Sequence, residues 1–165
     1  MSRSLAVTLL FAATLASAGC GVRERRTERL AGALAAGDTA VYLTPFGAPT
    51  RPFSPAVRVG NLIFLSGQIG VPEASASGNT VVPGGIEAET RQTMENIRTT
   101  LAAVGSTMDK VIKCTVMMAD MKEWDRMNAV YRTYFKPGRL PARSALGANG
   151  LALNARVEIE CIATA

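Results

Sequence analysis

The strongest constraint on the fold is a helix-like pattern set between strand-like runs. Along residues 86–105, apolar or threonine side chains recur every three or four residues: Ile86, Thr90, Met94, Ile97, Leu101 and Val104. This interval places them on one face of an α-helix. Gly105 stands where a helix commonly ends. We therefore predict a helix over 86–105 that buries one face.

Strand-like runs lie before this helix. Val57 and Val59 alternate with polar neighbours, and Gly60 with Asn61 forms a turn signal. Residues 62–66 (LIFLS) are a short apolar run of the kind found in buried strands. Together these features predict a β-hairpin.

Four further elements follow the first helix. Residues 110–120 (KVIKCTVMMAD) predict a strand, and residues 121–135 predict a second helix with Asp120 as its N-cap. One face of that helix carries Trp124, Met127, Tyr131 and Phe135. The runs 140–146 (LPARSAL) and 156–164 (RVEIECIAT) predict the last two strands.

The order of these elements predicts an α+β domain. We expect a two-layer fold in which a mixed sheet carries both helices on one face. The last strand is apolar on both faces apart from Glu158 and Glu160. An apolar face left open in this way is commonly covered by another copy, so we expect the protein to form an oligomer.

The first twenty residues have the pattern of an export signal. Arg3 precedes an apolar stretch of about a dozen residues, which small residues follow. A transmembrane helix needs about 20 apolar residues, so this stretch is too short to span a membrane comfortably. We expect an exported protein of the periplasm or cell envelope.

Two cleavage patterns overlap at the end of this signal. Residues 16–18 (ASA) suit ordinary signal peptidase, which would cut after Ala18. Residues 17–20 (SAGC) resemble a bacterial lipobox, in which Cys20 would carry lipid, although Ser17 replaces the usual leucine. We favour the lipoprotein, with residues 1–20 as signal, 21–40 as tether and 41–165 as the folded domain.

Composition argues against several kinds of site. The chain has no histidine, which removes the commonest metal ligand, and we expect no metal site. Its net charge of +5 comes largely from arginines near the N-terminus (Arg23, Arg25, Arg26 and Arg29), so we expect no nucleic-acid partner. Cys114 and Cys161 lie in apolar strand-like runs, where a disulfide is feasible but two reduced, packed thiols are expected.

Arg143 is a single guanidinium in a small, mostly apolar segment, and two carboxylates follow it on the last strand. Glu158 and Glu160 are two residues apart, so they point to the same face of that strand. The residues alone leave three interpretations of Arg143 open: an ion pair with Glu158, a solvated loop arginine, or a group that awaits an anionic ligand.

Several stretches in this order resemble the RidA/YjgF family of reactive-intermediate deaminases. They are VGNLIFLSGQIG, RQTMENI, VIKCTVMMADM, MNAVYRTYF, LPARSAL and VEIECIA, and the resemblance spans about residues 44–163. It implies a chorismate-mutase-like α+β fold and a homotrimer with its sites in the clefts between subunits. It also implies hydrolysis of enamines or imines of small 2-keto acids, with no cofactor.

The resemblance also implies which residues form the site. Arg143 matches the arginine that binds the substrate carboxylate, and Glu158 matches the carboxylate that positions or activates water. The matching substrate-binding positions are Ser66, Gly67, Asn128 and Phe53. In two places the chain departs from the pattern, because Phe53 stands where the family often has tyrosine and Ala145 where it often has cysteine.

A second function stays open at this stage. The same cleft could serve a non-catalytic protein of the cell envelope that binds small molecules. Export favours this alternative, because the known sources of such imines are cytoplasmic pyridoxal-phosphate enzymes. Retention of Arg143 favours the deaminase.

Overall fold

The computed structural model describes residues 40–47, 51–72 and 80–165. Their strands are β1 (Val41–Leu43), β2 (Ala56–Val59), β3 (Leu62–Leu65), β4 (Gln68–Ile69), β5 (Val111–Met118), β6 (Ala142–Gly147) and β7 (Val157–Thr164), and their α-helices are α1 (Gly85–Ala103) and α2 (Trp124–Tyr131). The predicted signal, Cys20 and nearly all of the predicted tether lie outside the described residues.

The described strands form one mixed sheet with the order β1-β2-β3-β7-β5-β6, and β4 also pairs with β7. Only β5 and β6 are parallel among these pairs, and every other pair is antiparallel. The core is built from inward-facing strand residues and the buried faces of α1 and α2. This arrangement confirms the predicted α+β domain with a sheet and two helices.

Helix α1 matches its prediction closely. Ile86, Met94, Ile97 and Leu101 are fully buried, so the periodic face is the face that packs on the sheet. The helix ends at Ala103, and Gly105, just past the C-cap Val104, has a left-handed φ of 85°. The amide of Ser106 donates to the Leu101 carbonyl at 2.8 Å, and this bond caps the last turn.

The second predicted helix is present but is not regular over its whole length. It begins with a 3-10 turn, Met121–Glu123, and finishes with another, Arg132–Tyr134. Asp120 is its N-cap as predicted, because the Asp120 Oδ1 accepts a hydrogen bond from the Lys122 amide at 2.9 Å. The central α-helix α2 packs its Met127 and Tyr131 into the core.

The predicted hairpin is formed by β2 and β3 and turns at Gly60 and Asn61. Beyond it, β3 and β4 pair with the same strand β7 but in registers that differ by one residue. Phe64 pairs with Ile162 and Gln68 pairs with Ile159, so an advance of four residues from β3 to β4 matches an advance of only three residues along β7. The extra residue is a β-bulge at Ser66 and Gly67, and a bulge of this kind redirects nearby side chains.

Cys114 and Cys161 correct one expectation, because they form a disulfide where two reduced thiols were predicted. The two residues are direct partners in the antiparallel pairing of β5 with β7, with their Cα atoms 4.1 Å apart. A partner pair at this separation is close enough for the two sulfur atoms to bond. Both side chains are buried beneath the helices.

The other face of the sheet carries an apolar surface. Phe64 pairs across the strands with Val57 and with Ile162, Leu62 lies two residues before it on the same face, and Phe64 keeps 40% of its surface exposed. Tyr42 extends the same face on β1 and is 71% exposed. Within the described part of the chain, no helix has the length and apolar character needed to cross a membrane.

Candidate active site

Arg143 is held against one face of α2. Strand β6 lies at the edge of the sheet, and Arg143 on it is the register partner of the buried Cys114, so its side chain points to the helix-covered face. Its Nη1 donates a hydrogen bond to the Asn128 Oδ1 at 2.6 Å. Its guanidinium carbon lies 4.8 Å from the ring centre of Trp124 and 4.8 Å from that of Tyr131. We call these four residues the arginine cluster.

The arginine cluster contains no carboxylate. Among the described residues, none of the salt bridges involves Arg143, so neither Glu158 nor another acidic side chain neutralises it. A guanidinium carries five N–H donors, and only one of them is used by Asn128. The structure therefore excludes a permanent ion pair with Glu158 within the chain and leaves donors free for an anion.

Tyr131 contributes a neutral ring to this cluster. Its side chain is 4% exposed, and burial raises its pKa to about 12 despite the opposing effect of the Arg143 charge. The hydroxyl has no hydrogen-bond partner among the described residues. Tyr131 thus presents an aromatic face to Arg143 and does not supply a charge.

Glu158 lies in a second group, which we call the glutamate cluster and which comprises Ser66, Gly67 and Glu158. The bulge places Gly67 directly beside Glu158, and a Cβ atom at residue 67 would overlap the Glu158 Oε1. The absence of a side chain at Gly67 is what admits the carboxylate to this position. Burial raises the pKa of Glu158, and the neighbouring charge of Glu160 raises it further.

Ser66 is tied to the segment that carries Phe53. The Ser66 hydroxyl donates to the Ser54 carbonyl at 2.7 Å, and the Ser66 amide donates to the Pro55 carbonyl at 3.1 Å. The Ser66 Oγ therefore keeps its acceptor capacity but has its proton engaged. The Phe53 side chain, in the bend before β2, is 45% exposed.

The two clusters do not meet within one chain. Glu158 pairs with Met117 on β5, three residues beyond Cys114, so Glu158 and Arg143 point to opposite faces of the sheet. They are also two strands and three residues apart, which corresponds to about 14 Å between their Cα atoms. The structure therefore joins Arg143 with Asn128, and Glu158 with Ser66 and Gly67, but does not bring Arg143 to Glu158.

Except for Phe53, which lies in neither cluster, the described residues of the predicted site fall into these clusters, and two residues that sequence analysis missed join them. Trp124 and Tyr131 were assigned only to the packing face of the second helix. Their spacing with Asn128 at residues 124, 128 and 131 signals one shared helix face. That signal could not show that Arg143 lies over the face, because β6 is brought there by the fold. Among the described residues, no group of three or more acidic or cysteine side chains could hold a metal ion.

Comparison with known proteins places the chain in a family. The family model described as Endoribonuclease L-PSP matches residues 45–165. A mouse protein named 2-iminobutanoate/2-iminopropanoate deaminase is 42% identical over 123 residues, which make up 74% of this chain and 88% of the mouse protein.

Two solved structures are similar in both fold and sequence. A protein of the conserved Rid family from Yersinia pestis has a TM-score of 0.68 at 32% identity and covers 76% of this chain and 98% of its own. RidA from an Antarctic Psychrobacter has a TM-score of 0.65 at 29% identity and covers 75% of this chain and 98% of its own. This protein therefore belongs to the RidA/YjgF family, whose family model carries the description Endoribonuclease L-PSP.

Proposed function

We propose that this protein hydrolyses imines and enamines of small 2-keto acids at a site assembled from two copies of the chain. The observation that carries the proposal is the state of Arg143, a half-buried guanidinium held in place without any described carboxylate partner. The mouse relative named as an imine deaminase supports the same activity.

Arg143 would bind the substrate carboxylate. The planar fork of a guanidinium donates two parallel hydrogen bonds to a carboxylate, and such charge-assisted bonds are stronger than neutral ones. Asn128 holds one nitrogen of the fork and the two rings lie against it, while no other described hydrogen bond uses Arg143, so its remaining N–H groups stay available. The substrate would then lie at the edge of the sheet beside β6.

Glu158 of a neighbouring copy would activate the attacking water as a general base. As the water oxygen bonds to the imine carbon, Glu158 accepts a water proton and passes it to the nitrogen, which gives a carbinolamine. The carboxylate then moves the hydroxyl proton to the nitrogen while the C–N bond breaks. Ammonia leaves, and a 2-keto acid remains. A carboxylate with a raised pKa is a better base for these transfers than an ordinary one.

Ser66 of the glutamate cluster would orient the reacting group, and residues outside the cluster would shape the pocket. Since the Ser66 hydroxyl donates to Ser54, its oxygen would accept a hydrogen bond from the imine nitrogen. Phe53 would line the pocket without the hydroxyl that a tyrosine would offer. Ala145 packs against the core beside β5, so no thiol takes part at that position.

A homotrimer with a chorismate-mutase-like fold is the assembly we propose. Its formation would cover the apolar face that bears Leu62 and Phe64, and would bring the glutamate cluster of one copy to the arginine cluster of the next. A heterologous contact that repeats around a ring gives each copy one site with each neighbour.

Export to the cell envelope is the location we propose, with residues 1–20 as signal, 21–40 as tether and Cys20 as the lipid-bearing residue. The disulfide of Cys114 with Cys161 supports this proposal, because such bonds persist in oxidising compartments and are rare in the cytosol. Mass spectrometry of the mature N-terminus would distinguish a lipidated Cys20 from cleavage after Ala18.

An imine assay tests the activity. An amino-acid oxidase generates 2-iminobutanoate in the presence of semicarbazide, which traps any imine that is not hydrolysed. The protein should lower semicarbazone formation, and Arg143→Ala should reduce kcat/KM by about a hundredfold or more. The matched control is Arg139→Ala, an exposed arginine outside both clusters. Binding of 2-oxobutanoate without any hydrolysis would favour the non-catalytic binding protein.

A complementation experiment tests whether the site needs two copies. Arg143→Ala and Glu158→Gln chains should each be inactive alone. Refolding them together at equal amounts should restore about a quarter of wild-type activity, because that share of neighbouring pairs has an intact residue from each chain. If the mixture stays as inactive as its components, the two residues do not act across an interface.

A further inference from the structure

We propose that Trp124 and Tyr131 form an aromatic clamp that fixes the Arg143 guanidinium and thereby sets the affinity of the site for the substrate carboxylate. The inference rests on the proposed role of Arg143 as the carboxylate anchor. It assigns to Trp124 a positioning role that the helical pattern alone does not indicate.

The spacing of the two rings makes the clamp. Trp124 and Tyr131 are seven residues apart on α2, which is two turns on one face and about 10.5 Å along the helix axis. The guanidinium carbon of Arg143 is 4.8 Å from each ring centre, so it contacts both rings at once. The guanidinium therefore lies over both rings and beside Asn128, which comes between them in sequence on α2.

The clamp leaves the binding edge of Arg143 open. Cation–π contacts engage the flat faces of a guanidinium, whereas its N–H donors lie in its plane. Asn128 accepts one Nη1 donor at 2.6 Å, which restricts the rotation of the guanidinium plane over the rings. No other described hydrogen bond uses Arg143, so the parallel N–H groups of its Nε and Nη2 stay available for a bidentate carboxylate.

Arg143 needs this support because of its place in the sheet. Strand β6 is the edge of the sheet, where a long side chain is otherwise free to sample many rotamers. No described acidic residue holds the side chain by charge. Because the two rings already order the Arg143 side chain, ligand binding does not have to pay the conformational entropy of ordering it, which is the general basis of preorganisation.

Trp124 is the side chain on which the proposal can be tested. It is half-buried, whereas Tyr131 is part of the buried core. It is also the only tryptophan in the sequence, so the intrinsic fluorescence of the protein reports on the neighbourhood of Arg143. Titration with 2-oxobutanoate, the keto acid product, should change that fluorescence in the wild type and leave it unchanged in Arg143→Ala.

Affinity for 2-oxobutanoate is measured by calorimetry in variants of the full chain. Trp124→Leu should weaken binding about three- to thirtyfold, because one desolvated cation–π contact is lost. Trp124→Phe keeps a ring and should stay within about threefold of wild type. In the imine assay, Trp124→Leu should raise KM with kcat nearly unchanged, because the carboxylate is held equally before and during reaction. The matched control is Tyr134→Leu, an aromatic residue at the end of the same helical segment that bonds Glu95 and not Arg143.

The outcomes separate the clamp from the proposed function. If Trp124→Leu binds 2-oxobutanoate as tightly as wild type while Arg143→Ala does not bind, the clamp is wrong and the anchor stands. If Arg143→Ala binds normally, both are wrong. A loss of thermal stability and kcat with unchanged affinity would show a packing role only. Should Trp124→Leu fail to fold, the wild-type titration decides, because calorimetric binding without any fluorescence change overturns the clamp.

Discussion

Loss of the Cys114–Cys161 disulfide is expected to lower the free energy of unfolding by about 4 kcal/mol. The two cysteines are 47 residues apart in sequence, and the bond closes that segment into a loop in the unfolded chain. In the chain-entropy model, a loop of this length restricts the unfolded state by an amount worth about 4 kcal/mol at room temperature. For a fold of this size, that change corresponds to about 15 °C in Tm.

Thermal unfolding followed by circular dichroism measures this effect. Both sulfur atoms are buried, so the protein should be unfolded, reduced and refolded under a thiol-free reductant before the comparison. Protein concentration is kept fixed, because association makes Tm depend on concentration. The control is the double variant Cys114→Ala with Cys161→Ala, whose Tm should not respond to the reductant.

Two results would refute the reasoning. One is a wild-type Tm that is the same before and after reduction. The other is peptide mapping in which oxidatively folded protein yields Cys114 and Cys161 as separate thiols. A much smaller shift than expected would mean that the reduced unfolded chain keeps structure between β5 and β7.

Three further outcomes follow from the glutamate cluster and its surroundings. Gly67→Ala should displace the Glu158 carboxylate and lower kcat in the imine assay more than it lowers Tm, since the overlap is with the end of a side chain. Folding raises the pKa of Glu158, so the folded state favours the protonated carboxyl and the wild type loses stability as pH rises through the raised pKa. Glu158→Gln cannot ionise at this position, so its Tm should rise relative to that of wild type as pH goes from acid to neutral. Glu89 is buried and accepts the Arg156 amide at 2.7 Å, so Glu89→Ala should cost about 2 kcal/mol in denaturant unfolding.

The elements of the fold could be predicted because their signals are local. The periodic face of α1 and its stop signal at Gly105 both lie within twenty residues, and the structure confirms both. The hairpin turn at Gly60 and Asn61 is equally local. The two shortest strands, β1 and β4, were not predicted, because two or three residues carry no period and form only against strands already in place.

The contacts within the candidate site could not be predicted, because they depend on which strands pair and in which register, and the local sequence does not show this. Cys114 and Cys161 lie in runs that suit packed thiols, and only the pairing of β5 with β7 makes them partners. Arg143 meets Trp124 only because β6 pairs in parallel with β5 beneath α2. The alternation along β7 did predict that Glu158 points away from the buried residues, but not that Arg143 would point to the other face.

Because Arg143 and Glu158 lie on opposite faces of the sheet, the proposed chemistry depends on assembly of two copies. A single copy has the proposed carboxylate binder, Arg143, on one face and the proposed base, Glu158, on the other, and no side-chain motion carries either through the sheet. A substrate that bridges two copies would bind the assembly and not the separate chains, so by linkage it must stabilise the assembly. We therefore expect 2-oxobutanoate to shift sedimentation toward the oligomer at low protein concentration. In Arg143→Ala the same addition should have no effect. An equal shift in that variant would show that 2-oxobutanoate does not stabilise the oligomer by binding Arg143.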